Sequence, residues 1–220
     1  MTGAKRLLIY GASGHGKVVA EVGRSMGFAV AGFLDDDPAK EGTTFFGTGV
    51  LSWDRLRRER EAWADAAVAL GIGDNAARER CLERILTAGH PVATLVHGSA
   101  VVAPSARLGS GTVVMALAAV NPDAVVGEGA ILNTGSVVEH DCRLGRLVHL
   151  SPNAALGGNV SVGDRAHLGL GAVALPGVRI GRDVRVGAGA VVNRDVADGL
   201  TVVGVPARPV PVGGGGAGTP

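Results

Sequence analysis

Residues 125–144, VVGEGAILNTGSVVEHDCRL, set Val126, Leu132, Val138 and Leu144 six apart. Followed outward in both directions, the phase holds from Val102 to Val192 without a slip: sixteen positions, of which only Ala174 is not a larger aliphatic. Four residues after each member runs a second series of mostly small residues: Ala106, Thr112, Ala118, Ala124, Ala130, Ser136, Cys142, Val148, Ala154 and on to Ala190. Glycine often follows the first series directly, at Gly109, Gly127, Gly145, Gly157, Gly163, Gly169, Gly181 and Gly187. A period of six fits neither an isolated helix nor a strand that alternates faces. It is the repeat of a parallel β-helix. Each hexad forms one flat side of a three-sided coil, so 18 residues close a coil and the sixteen hexads give a little over five. The large aliphatic points inward and stacks on its equivalents, while the small residue fits the inner corner. The glycines are expected to supply turn geometries that a Cβ resists.

Residues 1–96 read differently. Apolar runs at Lys5–Gly11, Ala29–Leu34 and Ala66–Gly71 alternate with helical patterns at Lys17–Met26, Trp53–Trp63 and Asn75–Ala88, the last capped by Asp74 or Asn75. Gly27 is a stop signal for the first helix. Strands alternating with helices predict a small parallel sheet of Rossmann type. The expected organisation is an α/β Rossmann-like domain over 1–96, a parallel β-helix over 97–212, and a disordered Gly-rich tail over 213–220.

Composition narrows the function classes. The formal net charge is +1, which gives no electrostatic case for nucleic acid or an anionic membrane. No apolar run approaches a membrane span, and the N-terminus lacks a signal-peptide pattern. The two cysteines, Cys81 and Cys142, fall in different regions, as expected of reduced thiols in a cytoplasmic protein, with Cys142 filling an inner corner.

The first strand runs into Gly11-Ala-Ser-Gly-His-Gly-Lys17. Such a loop brings backbone N–H groups and a helix N-terminus onto an anion. Gly11, Gly16 and Lys17 fit a P-loop, but Val18 stands where a Ser or Thr should hold magnesium, which argues against ATP hydrolysis. The order G-x-x-G-x-G is not the dinucleotide fingerprint, which argues against NAD. Asp35 and Asp36 follow the second strand, where carboxylates meet a ribose or sugar. On these residues alone, ligand binding and a structural turn with a solvated acidic loop are equally consistent.

The segment Tyr10 to Glu21 (YGASGHGKVVAE), with Phe33-Leu-Asp-Asp36, resembles the start of the nucleotide-sugar acetyltransferases of the PglD/NeuD type. The coil segment Ile131 to Cys142 (ILNTGSVVEHDC) and the ending Val203 to Arg208 (VGVPAR) are similar to theirs as well. The resemblance covers nearly the whole chain apart from the tail. It implies a left-handed β-helix of the hexapeptide-repeat acyltransferases, assembled as a homotrimer, with acetyl-CoA in a cleft between neighbouring helices and no metal. It implies an N-terminal domain that binds a nucleotide-linked amino sugar through Ser13, Gly14, His15, Asp35 and Asp36. The family's catalytic histidine falls on His140 and its acidic neighbour on Asp141, where Glu is a common alternative. A second histidine, associated with the thioester end of CoA, falls on His149, and Gly158 and Leu170 match positions lining the CoA channel. The setting implied is surface polysaccharide or glycan synthesis.

The coil phase permits these roles. His140 is two residues past Val138 and His149 one before Leu150, so neither points into the coil, and both are expected to face a cleft. A neutral imidazole takes up a proton near pH 7, and a carboxylate at Asp141 would orient it and raise its basicity. The expected reaction is direct acetyl transfer to an amine, with His140 as general base and the Gly158 N–H as an oxyanion donor. Cys142 is the rival nucleophile, disfavoured by its inward corner. The alternatives are a sugar O-acetyltransferase of the sialic-acid type, a β-helix carbonic anhydrase, which the spacing of His140, His149 and His167 does not suit, and a non-enzymatic scaffold.

Overall fold

The computed structural model describes residues 5–210; the expected disordered tail at 213–220 lies outside them. In the N-terminal part, β1 (Arg6–Tyr10), β2 (Ala29–Leu34), β3 (Thr44–Phe45), β4 (Thr48–Leu51) and β5 (Ala67–Leu70) form one sheet ordered β3-β4-β2-β1-β5. All neighbours are parallel except β3 and β4. Helices α1 (Gly14–Ser25), α2 (Trp53–Arg58) and α3 (Asn75–Thr87) complete this Rossmann-like unit. Because β1 is flanked by β2 on one side and β5 on the other, its carboxyl end is a topological switch point, where open α/β sheets bind ligands.

Two helices differ from the sequence pattern. Helix α1 begins at Gly14 rather than Lys17, with Ser13 as an extended N-cap whose side chain makes no capping bond. A Cβ at Gly16 would collide with the Gly11 carbonyl, so the glycines that argue against helix by propensity are what let its first turn close onto the β1 loop. The Trp53–Trp63 stretch is not one helix: α2 ends at Arg58 and a 3-10 turn, Arg60–Trp63, follows. Trp53 stacks on Tyr10 at 5.6 Å, while Trp63 lies under the Arg6 guanidinium. Helix α3 is capped by Asp74, whose carboxylate accepts from Ala77 N at 2.8 Å.

The chain enters the coils through β6 (Leu95–Val96), which pairs in parallel with Val113–Val114. From there to Val192, two-residue strands recur every six residues and stack into three faces whose neighbours are parallel, except that Arg208–Pro209 closes the third face antiparallel to Thr201–Val203. The first face holds Val101–Val102, Ala119–Val120, Val137–Val138, Ala155–Leu156, Val173–Ala174 and Val191–Val192. The second runs from Arg107–Leu108 through Arg143–Leu144 to Arg179–Ile180, and the third from β6 through His149–Leu150, His167–Leu168 and Arg185–Val186 to Arg208–Pro209. The inward series is the core: from Val114 to Val192 every sixth residue is buried, with Val102 and Leu108 partly covered at the open end. Burial of each larger aliphatic contributes about 1.5–3 kcal/mol. No described helix is long and apolar enough to cross a membrane.

The glycines after the aliphatics have a different cause from the one expected. None of them has a positive φ; a Cβ at Gly127 would stand 2.5 Å from the Gly145 backbone of the next coil, so they are required by close approach of the chain. The left-handed residues sit two positions later, in an unbroken six-residue series from Gly111 to Gly189 that includes Leu117, Asp123, Asp141 and Asn159.

Candidate active site

The N-terminal switch point and the third face of the coils meet. The Gly11–Gly16 loop, the acids after β2 and Ile72–Gly73 after β5 enclose a crevice of about 280 Å³, lined also by Tyr10, Arg80 and Arg84. Asp35 is fully engaged: its carboxylate accepts from Ala12 N at 2.9 Å, Asp37 N at 3.0 Å and Lys40 Nζ at 2.9 Å. Partial burial works against its charge, but these donors outweigh it and hold its pKa below the usual carboxylate value. Asp35 thus braces the loop. Asp36 is more open. Its Oδ1 accepts from the Tyr10 hydroxyl at 2.7 Å and Arg84 Nη1 at 2.8 Å, which orients the carboxylate at the crevice. Ser13 and Gly14 are exposed at the N-terminus of α1.

His15, from the same loop, points the other way, toward the coils. Its ring lies 6.1 Å from that of His149, which stacks face to face on His167 at 4.4 Å. His149 is not at an open cleft, as its coil phase led us to expect: it is 7% exposed, because the N-terminal unit covers the third face there. Its Nδ1 lies 3.2 Å from the Gly73 carbonyl and its Nε2 3.4 Å from the Asn133 amide. The carbonyl can only accept, so Nδ1 carries the proton and Nε2 the lone pair. Burial is the main cause that lowers the His15 pKa to about 4 and that of His149 to about 3. The cluster borders a second cleft of about 480 Å³, shared with Arg165 and Arg185.

His140 lies elsewhere. It occupies the corner between the first face (Val137–Val138) and the second (Arg143–Leu144), across the three-sided coil from His149 on the third. Within one chain the two histidines are on opposite sides of the β-helix. At this corner Asp141 Oδ2 is 2.8 Å from His140 Nδ1. The shorter acid reaches the ring because Asp141 is left-handed, with φ of 62°, a conformation Asp tolerates well. This hydrogen bond raises the His140 pKa against the opposing effect of desolvation, with further help from the charges of Asp141 and Glu139. Nε2 is thereby left as the basic nitrogen.

Gly158 stands one coil beyond His140 at the same corner. A Cβ there would lie 2.7 Å from His140 Cε1 and Nε2. The Gly158→Ala enzyme is therefore expected to keep its fold but lose activity at least about tenfold by displacing the imidazole, as compared in kcat and a thermal melt. Leu170 is 59% exposed at a different corner, between the third and first faces. Cys142 is buried and its Sγ donates to Gly157 O at 3.2 Å; burial pushes its thiol pKa up, the opposite of an activated nucleophile.

Arg78 of α3 is a part of this region that the sequence reading missed. It is fully buried and donates to Gly129 O and Leu147 O on the coils, to Ile72 O and Gly73 O on the loop, and to Asn75 Oδ1. The available signal was its phase, one helix face with Cys81, Leu82 and Ile85.

Residues 6–85 match the sequence profile of the PglD N-terminal domain. The chain is similar to PerB from Caulobacter crescentus, solved in complex with CoA and GDP-perosamine, at a TM-score of 0.87 and 44% identity, covering 96% of this chain and 98% of that one. It is similar to the acetyltransferase domain of PglB from Neisseria gonorrhoeae FA1090, solved with acetyl coenzyme A, at a TM-score of 0.86 and 36% identity, covering 94% and 100%. Over 114 residues it is 39% identical to UDP-N-acetylbacillosamine N-acetyltransferase of Bacillus subtilis (strain 168); the match takes in 51% of this chain and 52% of that one, so it spans about half the length of this curated relative. Fold and site together define a β-helix acyltransferase preceded by a Rossmann-like unit. The chain belongs to the PglD-type family of nucleotide-sugar N-acetyltransferases.

Proposed function

We propose that the protein transfers the acetyl group of acetyl-CoA to the amino group of a nucleotide-linked amino sugar. The observation that carries this reading is the His140–Asp141 pair, solvent-open at a coil corner and faced by a glycine whose missing Cβ makes room for the imidazole. Ser13, Gly14 and the Asp36 carboxylate bind the nucleotide sugar at the switch point, with Asp35 shaping the loop. Gly158 and Leu170 line the path of CoA, and His149 lies toward its thioester end.

The residues support a direct transfer. The neutral amine attacks the thioester carbonyl, forming the N–C bond, while His140 Nε2 takes the amine proton. Asp141 orients the ring and stabilises the imidazolium. The Gly158 N–H makes no backbone hydrogen bond among the described residues and is free to meet the developing oxyanion. As the C–S bond breaks, His140 returns the proton to the leaving sulfur. No acyl-enzyme forms.

The site is completed by a second copy of the chain. Because His140 and the His15–His149 cluster lie on opposite sides of one coil, both can face the same substrate only when they come from neighbouring protomers. The first face provides the contact: its outward residues, Val101, Ala119, Val137, Ala155, Val173 and Val191, form an apolar stripe with no charge along it. Packing three such faces about a common axis gives the homotrimer. The compartment is the cytoplasm and the setting surface glycan synthesis. CoA release should be followed with acetyl-CoA and a panel of UDP-, dTDP- and GDP-linked 3-amino and 4-amino sugars, plus free sialic acid. Turnover of one amino sugar is expected. Turnover of sialic acid alone would move the reading to O-acetylation, and neither turnover nor CoA binding would leave a scaffold.

A further inference from the structure

Arg78 combines two features that rarely coincide. All five of its N–H donors are used, and every acceptor is a neutral oxygen. None of the ion pairs among the described residues includes it; Asp74, whose carboxylate caps α3, acts on it only through space. A buried charge is ordinarily paired, because removing one from water is costly. Here hydrogen bonds alone hold it, and burial lowers even this guanidinium to about 10, which leaves it charged at neutral pH.

What it touches gives the charge a use. Arg78 Nη1 donates to the Gly73 carbonyl at 2.9 Å, the same oxygen that His149 Nδ1 approaches at 3.2 Å. Its other donors pin that loop to two successive coils, through Gly129 O and Leu147 O, each at 2.8 Å. The groups facing His149 are His15 from α1, His167 and Asn133 from the third face, and Arg78 and Gly73 from the N-terminal unit. Arg185 and Asp74 act on His167 in opposite directions. Arg165, Glu79 and Asp183 line the cleft that His149 and His167 border, and there Arg165 is paired with both carboxylates. Among the described residues no carboxylate hydrogen-bonds to the His15, His149 or His167 ring, and Arg78 is the cation that lies against His149 without an ion-pair partner.

We propose that Arg78 is a positioning residue for the transfer: it fixes the carbonyl that orients His149, and its charge, held in no ion pair, makes the histidine cluster hostile to any second cation, including a protonated acceptor amine. This rests on the acetyl-transfer reading, in which the acceptor amine approaches between the His15–His149 cluster of one copy and His140 of the next. An amino sugar reaches the enzyme largely as its ammonium form and must shed a proton before attack. A neighbouring buried cation favours that loss, while the neutral imidazoles remain able to accept hydrogen bonds. Arg78 raises the charge of the surroundings without offering the amine a partner, since every donor it has is already committed.

The test separates charge from contact. The ring protons of the histidines are titrated by NMR in the full-length protein, with resonances assigned from single His→Gln variants. In the wild type, His15 and His149 are expected to stay neutral to below pH 5, as their values of about 4 and about 3 require. In R78Q both titrations move up by about one unit, the influence of a unit charge across a partly buried site. In R78K, which keeps the charge but not the five bonds, they stay low. The acid limb of kcat/KM for the amino sugar follows the same order, moving up in R78Q and holding in R78K. Wild-type His15 and His149 titrating near the ordinary imidazole value would overturn the proposal, as would a folded R78Q with unchanged titrations. If R78Q fails to fold, R78M, which removes the charge with an unbranched side chain, is titrated in its place, and titrations unchanged from those of R78K would overturn the proposal. The NMR readout needs no substrate, so an upward shift on removal of the charge, in an enzyme that shows no acetyl transfer, would refute the function and leave this electrostatic role standing.

Discussion

The His140→Ala enzyme is expected to lose between about a hundredfold and ten-thousandfold in kcat, with KM for the nucleotide sugar little changed. The side chain is 60% exposed, so a thermal melt should match the wild type. A companion change gives the sign of the pH dependence. Asp141 holds the His140 pKa above the ordinary imidazole value, so the acid limb of kcat/KM, which reports the unprotonated base, lies correspondingly high. In Asp141→Asn the donor–acceptor geometry survives in part but the charge is gone. The acid limb should then move to lower pH while the plateau rate falls, because a weaker base pulls less on the amine proton. Full activity in His140→Ala would remove the general base from the mechanism, and an acid limb unmoved in Asp141→Asn would mean that some other group sets it.

Val173→Asp is expected to have a comparable effect by a different route. Val173 faces outward in the middle of the apolar first face, so its replacement leaves the coil interior untouched. In a trimer, three carboxylates would be brought together in an apolar contact, where burial and mutual repulsion both oppose ionisation. Light scattering should report a trimer for the wild type and a monomer for the variant, circular dichroism an unchanged fold, and the assay a loss of at least about a hundredfold, since on the proposed assembly His140 is then parted from the opposing His15–His149 cluster. A wild-type monomer with full turnover would show that one chain suffices.

How far the chain could be read in advance depended on the range of the contacts involved. The hexads are local and repeated, so a periodicity of six fixed the coil, the inward residues and the corner on which His140 stands. The alternation of the first 96 residues was legible for the same reason, apart from helix α1, where tertiary fit of Gly16 against Gly11 overrides propensity. What could not be read depends on residues far apart in sequence. The burial of His149 is created by a loop 76 positions earlier. The engagement of Asp35 needs Ala12 and Lys40 in place at once. Arg78 reads as a surface charge until its phase on α3 is compared with Cys81, Leu82 and Ile85. The glycines after each aliphatic were found by pattern but assigned the wrong cause, since backbone crowding between coils leaves no mark distinct from turn geometry.

The coil also works as an indexed ruler. Each turn advances the chain along the helix axis by one strand spacing, about 4.8 Å, and returns every side chain to the same edge. An insertion of one hexad between the N-terminal unit and Val138 would rotate the His140 corner by a third of a turn, away from the edge proposed to meet a second copy. An insertion of three hexads would restore its azimuth and simply lift it one step along the axis. If transfer takes place at the His140 corner, the depth at which an acceptor group must be presented is set in whole coils, so a longer or shorter acceptor is met more readily by changes in the loops of the Rossmann-like unit than by changes in the length of the stack.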